Sequence, residues 1–364
     1  MNLNECRLEC GYHQGWFSLI RGKERQRLVG SHCFSLLNEK RSLDVICKTQ
    51  ADANAWIAAI TPHIAPLTAL QPCAGRLMRV CESHIRSGSV KGPTALSVSP
   101  VTGQLFVCNT GGDNVLVFDR QGQCTAVWGK RGSDDTCFSS PQAVALGYSD
   151  AVCYVGDTGN NRIQVMDVRG ALHESWADED HNSQPVAITV SPHTHRLYIA
   201  DNALRCIQVY TPEGKHLSIV QVAERDCARI GGIAVVGVGD SGCGRDEQLW
   251  VSNSQQHRIE CYDVSSGVWV RSIGVKGGNQ GKLGQLFTPK GLAFDVVHRL
   301  LYVCDSDNHR VCVYSVDRDE WVSQWGREGS ELGDFSKPSG VAVCPLTGLV
   351  FVSESKGDRV QCFY

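Results

Sequence analysis

The chain has 364 residues, 42% apolar and 20% charged, with 37 glycines and only 12 prolines; this balance describes one large or two modest folded domains and excludes disorder and collagen-like structure. Its 35 Lys and Arg against 38 Asp and Glu give a formal charge of −3, which is not the basic balance that phosphate backbones attract. No run approaches the roughly 18 to 20 consecutive apolar residues of a membrane-spanning helix, and Met1-Asn2-Leu3-Asn4-Glu5 lacks the basic-then-apolar opening of a secretory leader, so a cytoplasmic chain is expected.

Residues 1–66 hold eight Lys and Arg against six Asp and Glu, which leaves 27 against 32, or −5, for the rest of the chain. Here Cys33-Phe34-Ser35-Leu36-Leu37, a turn over Asn38 to Arg41, and Ser42-Leu43-Asp44-Val45-Ile46-Cys47-Lys48 predict a hairpin. Ala51, Ala55, Ala58 and Ala59, with Trp56 and Ile60, recur three and four apart and predict a helix with one apolar face, which Pro62 and Pro66 end. The combination Phe34-Ser35, Ser42-Leu43-Asp44 and Ala53-Asn54-Ala55-Trp56-Ile57 resembles the C-terminal half of a pleckstrin homology domain of the phospholipase C type. That resemblance implies a small α+β module without the loop between the first two strands on which such domains hold a phosphoinositide headgroup. A truncated segment over 1–66 and a linker over 67–75 are therefore expected, and binding to a membrane lipid is not.

From residue 76 onward a twelve-residue pattern occurs six times, opening at Val107, Val155, Ile199, Val251, Val303 and Val352, at intervals of 48, 44, 52, 52 and 49 residues. Each copy runs from the apolar end of one strand through a polar turn into an alternating strand, as in Val155-Gly156-Asp157-Thr158-Gly159-Asn160-Asn161-Arg162-Ile163-Gln164-Val165-Met166. A short apolar run after a proline precedes the hairpin, as at Pro141-Gln142-Ala143-Val144, Pro289-Lys290-Gly291-Leu292 and Pro338-Ser339-Gly340-Val341. A strand ending near Trp128, Trp176 or Trp325 follows it.

Six four-stranded units at this period predict an all-β, six-bladed β-propeller over 76–364. The sixth copy stops at Tyr364 after three strands. Val80 stands 13 residues before Pro93, as Trp128 does before Pro141 and Trp325 before Pro338, so residues 76–83 are expected to supply the missing strand and close the ring. Residues 237–248 form an insertion in the fourth unit.

The wording Asp305-Ser306-Asp307-Asn308-His309-Arg310-Val311, with Asp157 to Ile163 and Ser254 to Ile259, resembles the NHL-repeat family of propellers. The first and third copies depart from its signature, with Asn114 and Cys206 in place of Arg, and Glu354 stands where Asp is usual. The resemblance implies a non-catalytic scaffold or adaptor that binds a protein or peptide through its loops. It also brings two alternatives, single-stranded RNA binding on the loop face and a metal-dependent hydrolase or lyase.

Seven residues after each opening Val or Ile stand Arg162, Arg258, Arg310 and Arg359, with His257 and His309 just before two of them. Either each arginine bonds the turn or the acidic residue of its own or the adjacent blade, or the set rims a partner-binding face. Lys130, Arg131, Lys276, Lys282 and Arg327 come from inter-blade links, interrupted by Asp134, Asp135, Glu328 and Glu331. Such a mixed rim suits a protein or peptide better than a phosphate chain, so Lys130, Arg131 and Arg327 join the candidate partner-binding set.

Catalytic signals are weak. Gly239-Asp240-Ser241-Gly242 continues with Cys243, and Gly277 to Leu283 misses the phosphate-binding loop pattern at both ends. Cys6, Cys10 and His13 with His32-Cys33 have irregular spacing for zinc. No catalytic residue, metal or cofactor is expected, and the 18 cysteines, with no CxxC pair, read as reduced, packed thiols.

Overall fold

A computed structural model describes residues 7–14, 18–20, 31–38, 41–47, 77–81, 90–147, 152–177, 183–222, 229–237, 247–276 and 284–363. The chain divides into two compact units, Met1–Cys73 and Ala74–Tyr364.

In the first unit four antiparallel strands lie in the order Arg7–Gln14, Ser31–Asn38, Arg41–Cys47, Ser18–Ile20. The expected hairpin is its centre, closed at Asn38↔Arg41. The helix read over residues 51–60 falls outside the described residues.

The second unit is a propeller of six four-stranded antiparallel sheets, whose strands are named a to d outward from the axis. Blade 1 comprises Pro93–Val98, Leu105–Asn109, Asn114–Phe118 and Cys124–Trp128. Blade 2 comprises Ala143–Leu146, Val152–Asp157, Arg162–Asp167 and Leu172–Ala177, and blade 3 comprises Pro185–Val190, Leu197–Asp201, Cys206–Tyr210 and His216–Gln221. Blade 4 comprises Ile230–Gly237, Glu247–Asn253, Arg258–Asp263 and Trp269–Ile273; blade 5 comprises Pro289–Asp295, Leu300–Asp305, Arg310–Ser315 and Glu320–Trp325. Blade 6 takes Pro338–Val343, Val350–Glu354 and Arg359–Phe363 from the end of the chain and Leu77–Cys81 from before blade 1. Strand a of every blade touches strand a of both neighbours, and the sixth returns to the first.

Closure follows the spacing argument. Leu77–Cys81 pairs antiparallel with strand c of blade 6, Val360 opposite Cys81 and Phe363 opposite Leu77. One sheet thus joins segments nearly three hundred residues apart and covers an edge that would otherwise carry unpaired backbone groups.

The core lies between blades. Strands b of blades 1, 3, 5 and 6 are buried at every position, whereas strand d of blade 3 is exposed at five of its six. Between blades 3 and 4, for example, Tyr198, Ile207, Val209 and Val220 pack against Ile233, Val235, Leu249 and Tyr262. Burial of these faces is the main favourable contribution to the fold.

A second set of contacts, polar and buried, clamps each blade to its neighbours. Position 3 of the repeat is Asn109, Asp157, Asp201, Asn253, Asp305 and Glu354, none more than 1% exposed. In five copies its side chain accepts the backbone N–H of a residue in the link leading into its own blade: Lys91 at 2.5 Å, Ser139, Phe287 and Ser336 at 2.7 Å, Gln184 at 3.2 Å. Position 4 reaches forward. Thr110, Thr158 and Ser254 donate their hydroxyls to the carbonyls of Pro141, Pro185 and Pro289, and Asn202 donates its amide to the Ile230 carbonyl.

Position 7 completes the clamp. Asp113, Asn161, Arg205, His257, His309 and Asp358 all have φ between 50° and 58°, a left-handed turn in which Asn, Asp and His are enriched. Four of these side chains accept an N–H from the residue just before the next strand a: Asp113 from Ser140, His257 from Thr288, His309 from Lys337 and Asp358 from Gly92, at 2.7 to 3.3 Å.

At the axis, glycine allows the innermost strands to approach. A Cβ on Gly291 would stand 2.7 Å from Gly340 Cα and the Ser339 carbonyl, and one on Gly340 would collide with the Thr94 carbonyl.

The clamp generates a prediction. Asp305→Ala leaves the Arg310 guanidinium, 6% exposed, without its 2.8 Å partner, at a cost of about 3–5 kcal/mol. The apparent unfolding temperature is expected to fall by roughly 5–10 °C. Blade 1 builds the same place from a neutral pair, with Asn109 Nδ2 donating to Asn114 Oδ1 at 2.9 Å. The double variant Asp305→Asn, Arg310→Asn should therefore recover most of the loss, as scanning calorimetry of the three proteins would show.

Candidate functional site

Each strand a begins at one end of the axis, and its first residues form stacked rings. The residue after the leading Pro (Ile230 in blade 4) is Thr94, Gln142, Val186, Gly231, Lys290 or Ser339. Ala95, Ala143, Ala187, Gly232, Gly291 and Gly340 follow, then Leu96, Val144, Ile188, Ile233, Leu292 and Val341. All but Ala143 line a cavity of 330 Å³, at the low end of the roughly 300–1,000 Å³ of ligand sites. It passes from a polar mouth to an aliphatic interior, and Asn202, Arg229, Ser254, Thr288, Asp307 and Lys337 complete its rim.

Charge at the mouth is lopsided. Arg229, Lys290 and Lys337 come from blades 4, 5 and 6 in succession, against the single carboxylate of Asp307, so the lining carries 3 − 1 = +2 in a chain of −3. Lys337 Nζ lies 2.7 Å from Asp307 Oδ1. Desolvation works against the Asp307 carboxylate, but hydrogen bonds from Lys337 and Thr288 and the charges of both lysines hold it below the usual range. Burial pulls the Lys290 ammonium below the usual lysine range; Asp307 opposes the shift, and Lys337 and Arg229 add to it. Lys290 makes no side-chain hydrogen bond among the described residues. A half-buried, under-compensated ammonium beside two more cations is a place for an anion, not for a metal ion.

None of the nine residues singled out from the sequence lines this cavity. Arg162, Arg310 and Arg359 put Nε 2.6 to 2.8 Å from the position-3 carboxylate of their own blade, with side chains 6 to 14% exposed. In blade 4 the charge has changed strands: Asn253 stands at position 3, and Arg258 Nε meets Glu260 of strand c at 2.8 Å. The free ends of these guanidiniums bond link carbonyls, as Arg162 does with Asp134 and Cys137, and Arg359 with Ser330, Glu331 and Asp334. His257 accepts the Thr288 N–H and stacks on Phe287 at 4.8 Å, while the His309 ring faces the Phe335 carbonyl and the Lys337 N–H. These bonds lie within the fold and accord with the first of the two readings left open by the sequence, in which each arginine serves its own repeat. Lys130, Arg131 and Arg327 are exposed on the links, with Arg131 4.0 Å from Asp113 and Arg327 2.8 Å from Asp334.

Sequence reasoning passed over Lys290, Arg229, Lys337 and Asp307 because it looked for what recurs. The usable signal was the opposite. The residue before strand a is Gly92, Ser140, Gln184, Arg229, Thr288 or Lys337, and position 5 is Gly111, Gly159, Ala203, Gln255, Asp307 or Lys356. Positions that vary between copies while occupying one structural place are free of the repeat's own demands.

Among the described residues no group of three or more His, Cys, Asp or Glu could hold a metal ion. Gly239 to Gly242 and Gly277 to Leu283 lie outside the described residues, as do the side chains of Cys6, Cys10, His13, His32 and Cys33. Of the ten described cysteines nine are buried. Burial pushes the Cys261 thiol up to about 11 and those of Cys304 and Cys312 higher still, which makes packing elements of them rather than nucleophiles. No helix of the described residues is long and apolar enough to cross a membrane.

Residues 288–314 match the NHL repeat family model; this span covers strands a to c of blade 5 with the Asp305–Arg310 clamp. Among solved structures, a hydrazine synthase from Kuenenia stuttgartiensis superposes with a TM-score of 0.54 at 16% identity, covering 77% of this chain and 97% of that one. At that identity the likeness concerns the fold. The architecture and the matched repeat together make this chain a six-bladed β-propeller that carries an NHL repeat.

Proposed function

We propose that the propeller is a non-catalytic interaction scaffold or adaptor that binds a protein or peptide with the face surrounding the axial mouth. The observation that carries this reading is the mouth itself, a concave polar surface to which all six blades contribute. Carboxylate, hydroxyl and left-handed-turn clamps hold its rim, so little ordering is needed when a partner docks. The side-chain amide of Gln142 offers directional bonds beside the cations.

Single-stranded RNA fits less well. A phosphate chain needs a continuous positive track with exposed stacking rings, whereas Arg131 and Arg327 are each drawn toward an acid and Asp134, Asp135, Glu328 and Glu331 stand between them. A hydrolase or lyase would need a metal at the hub, where the lining is cationic. The first 66 residues fit a pleckstrin-like fragment through the hairpin at Asn38↔Arg41. A cytoplasmic setting suits free thiols.

Two charge-introducing variants test the face. Lys290→Glu alters the mouth, and Val296→Glu alters a residue 67% exposed on the a–b hairpin of blade 5, at the opposite end of the axis. Affinity purification with quantitative mass spectrometry should show co-purifying proteins lost with Lys290→Glu and retained with Val296→Glu. Equal retention by both variants would remove the mouth from the reading.

A further inference from the structure

Resting on the scaffold reading, we infer that the axial mouth is built to seat one compact anionic group, a carboxylate or a phosphate carried by the partner, between Lys290, Arg229 and Lys337. Three features of the cavity lead there.

The first is composition. In a chain of net −3, the three cations and one acid of the lining make the mouth locally positive, and low-dielectric walls focus that potential on what enters. The second is an unspent donor. Lys290 follows the Pro that opens strand a and lines the cavity, and its ammonium has no hydrogen-bonded partner among the described residues. Asp307 compensates this partly desolvated charge only in part, and an anion would complete it.

The third feature is a replaceable partner. Lys337 is bonded to Asp307, but the two side chains are 43% and 24% exposed, and a pair of that kind contributes little net stability. An arriving anion can therefore take Lys337 in place of Asp307 at small cost and join the charge on Lys290. Size sets the remaining limit. The 330 Å³ of the cavity corresponds to roughly ten waters, and below the mouth the walls become Leu96, Val144, Ile188, Ile233, Leu292 and Val341. An acidic side chain, phosphorylated side chain or chain terminus fits this form; a polymer backbone does not.

Lysine reactivity reads the site directly. The full chain is pulse-acetylated at constant ionic strength in chloride, acetate or inorganic phosphate, and labelling of each lysine is measured by mass spectrometry. Labelling of Lys290 and Lys337 should fall in acetate or phosphate by about tenfold at saturation, with exposed Lys130 unchanged. Protection by acetate points to a carboxylate-bearing partner, and protection by phosphate alone to a phosphorylated one. Lys290→Gln should raise the anion concentration that half-protects Lys337 by about tenfold, the effect of losing a charge-assisted hydrogen bond. Lys290→Arg should largely restore it. Asp307→Asn, which removes the competing acid, should lower that concentration.

Unchanged labelling in both anions, or equal protection of Lys130, would overturn the inference. Face-specific co-purification without anion protection would sink the anion seat and leave the scaffold standing. Protection without face-specific partners would do the reverse.

Discussion

Everything in the propeller hangs on a buried polar side chain at the third position of each repeat. A sheet that packs only through aliphatic faces can slide, because apolar contact has no direction. A carboxylate excluded from water must instead find its donors at defined distances. Asp157 finds the Ser139 N–H, the Asn160 amide, Arg162 Nε and the Gln164 amide at once. The link, the hairpin and strand c are fixed relative to one another by that one group. Removing the charge from water is costly, and burial does push Asp305 above the usual carboxylate range against the hydrogen bonds that pull it down. Such a node contributes register more than net stability.

The six blades meet the constraint differently, and the differences show what is required. Blade 2 has an acid on strand b and an amide on strand c, Asp157 with Gln164; blade 4 exchanges them as Asn253 with Glu260, and the arginine follows the charge. Blade 1 is neutral, and blade 3, with Cys206 where an arginine would stand, gives its acid the Ser183 hydroxyl at 2.6 Å. Matched donors and acceptors are therefore obligatory, whereas an ion pair is one way to supply them. A sequence signature written as Asp and Arg fits only blades 2 and 5 and misses the other four, which satisfy the same physics.

This explains which parts of the molecule were legible in the sequence. Period, hairpins and ring closure could be read because they rest on strand alternation and on the 13-residue step shared by Trp128–Pro141 and Trp325–Pro338, both local and repeated. Recurrence also drew attention to Arg162, Arg310, His257 and His309, whose bonds in the structure run within their own hairpin and its neighbouring links. A residue type that recurs among the copies serves the copy, here as guanidinium or left-handed-turn cap. The strand Arg7–Gln14 was not legible, since Cys10, Gly11, Tyr12 and His13 show no clean alternation and its pairing with Ser31–Asn38 is set from outside. The mouth was missed because its four charged residues occupy places where each copy differs, and only alignment on the strand register brings them together.

Clamp and mouth are then one construction. The pre-strand residue of blades 5 and 6 is held with φ of 55° and 57° by a histidine of the preceding hairpin, and in blade 6 that residue is Lys337. The turn that locks the blade therefore also sets the direction in which the lysine leaves the backbone. Lys290 is placed by the proline before it, and Asp307 by the short helical turn Ser306–Asn308 that ends in His309. Because three neighbouring blades supply all the charge, the field at the mouth is tilted to one side of the axis. A symmetric ring of cations would hold an anion without orienting what it is attached to. A tilted one orients the partner, and orientation is what a scaffold contributes to an assembly.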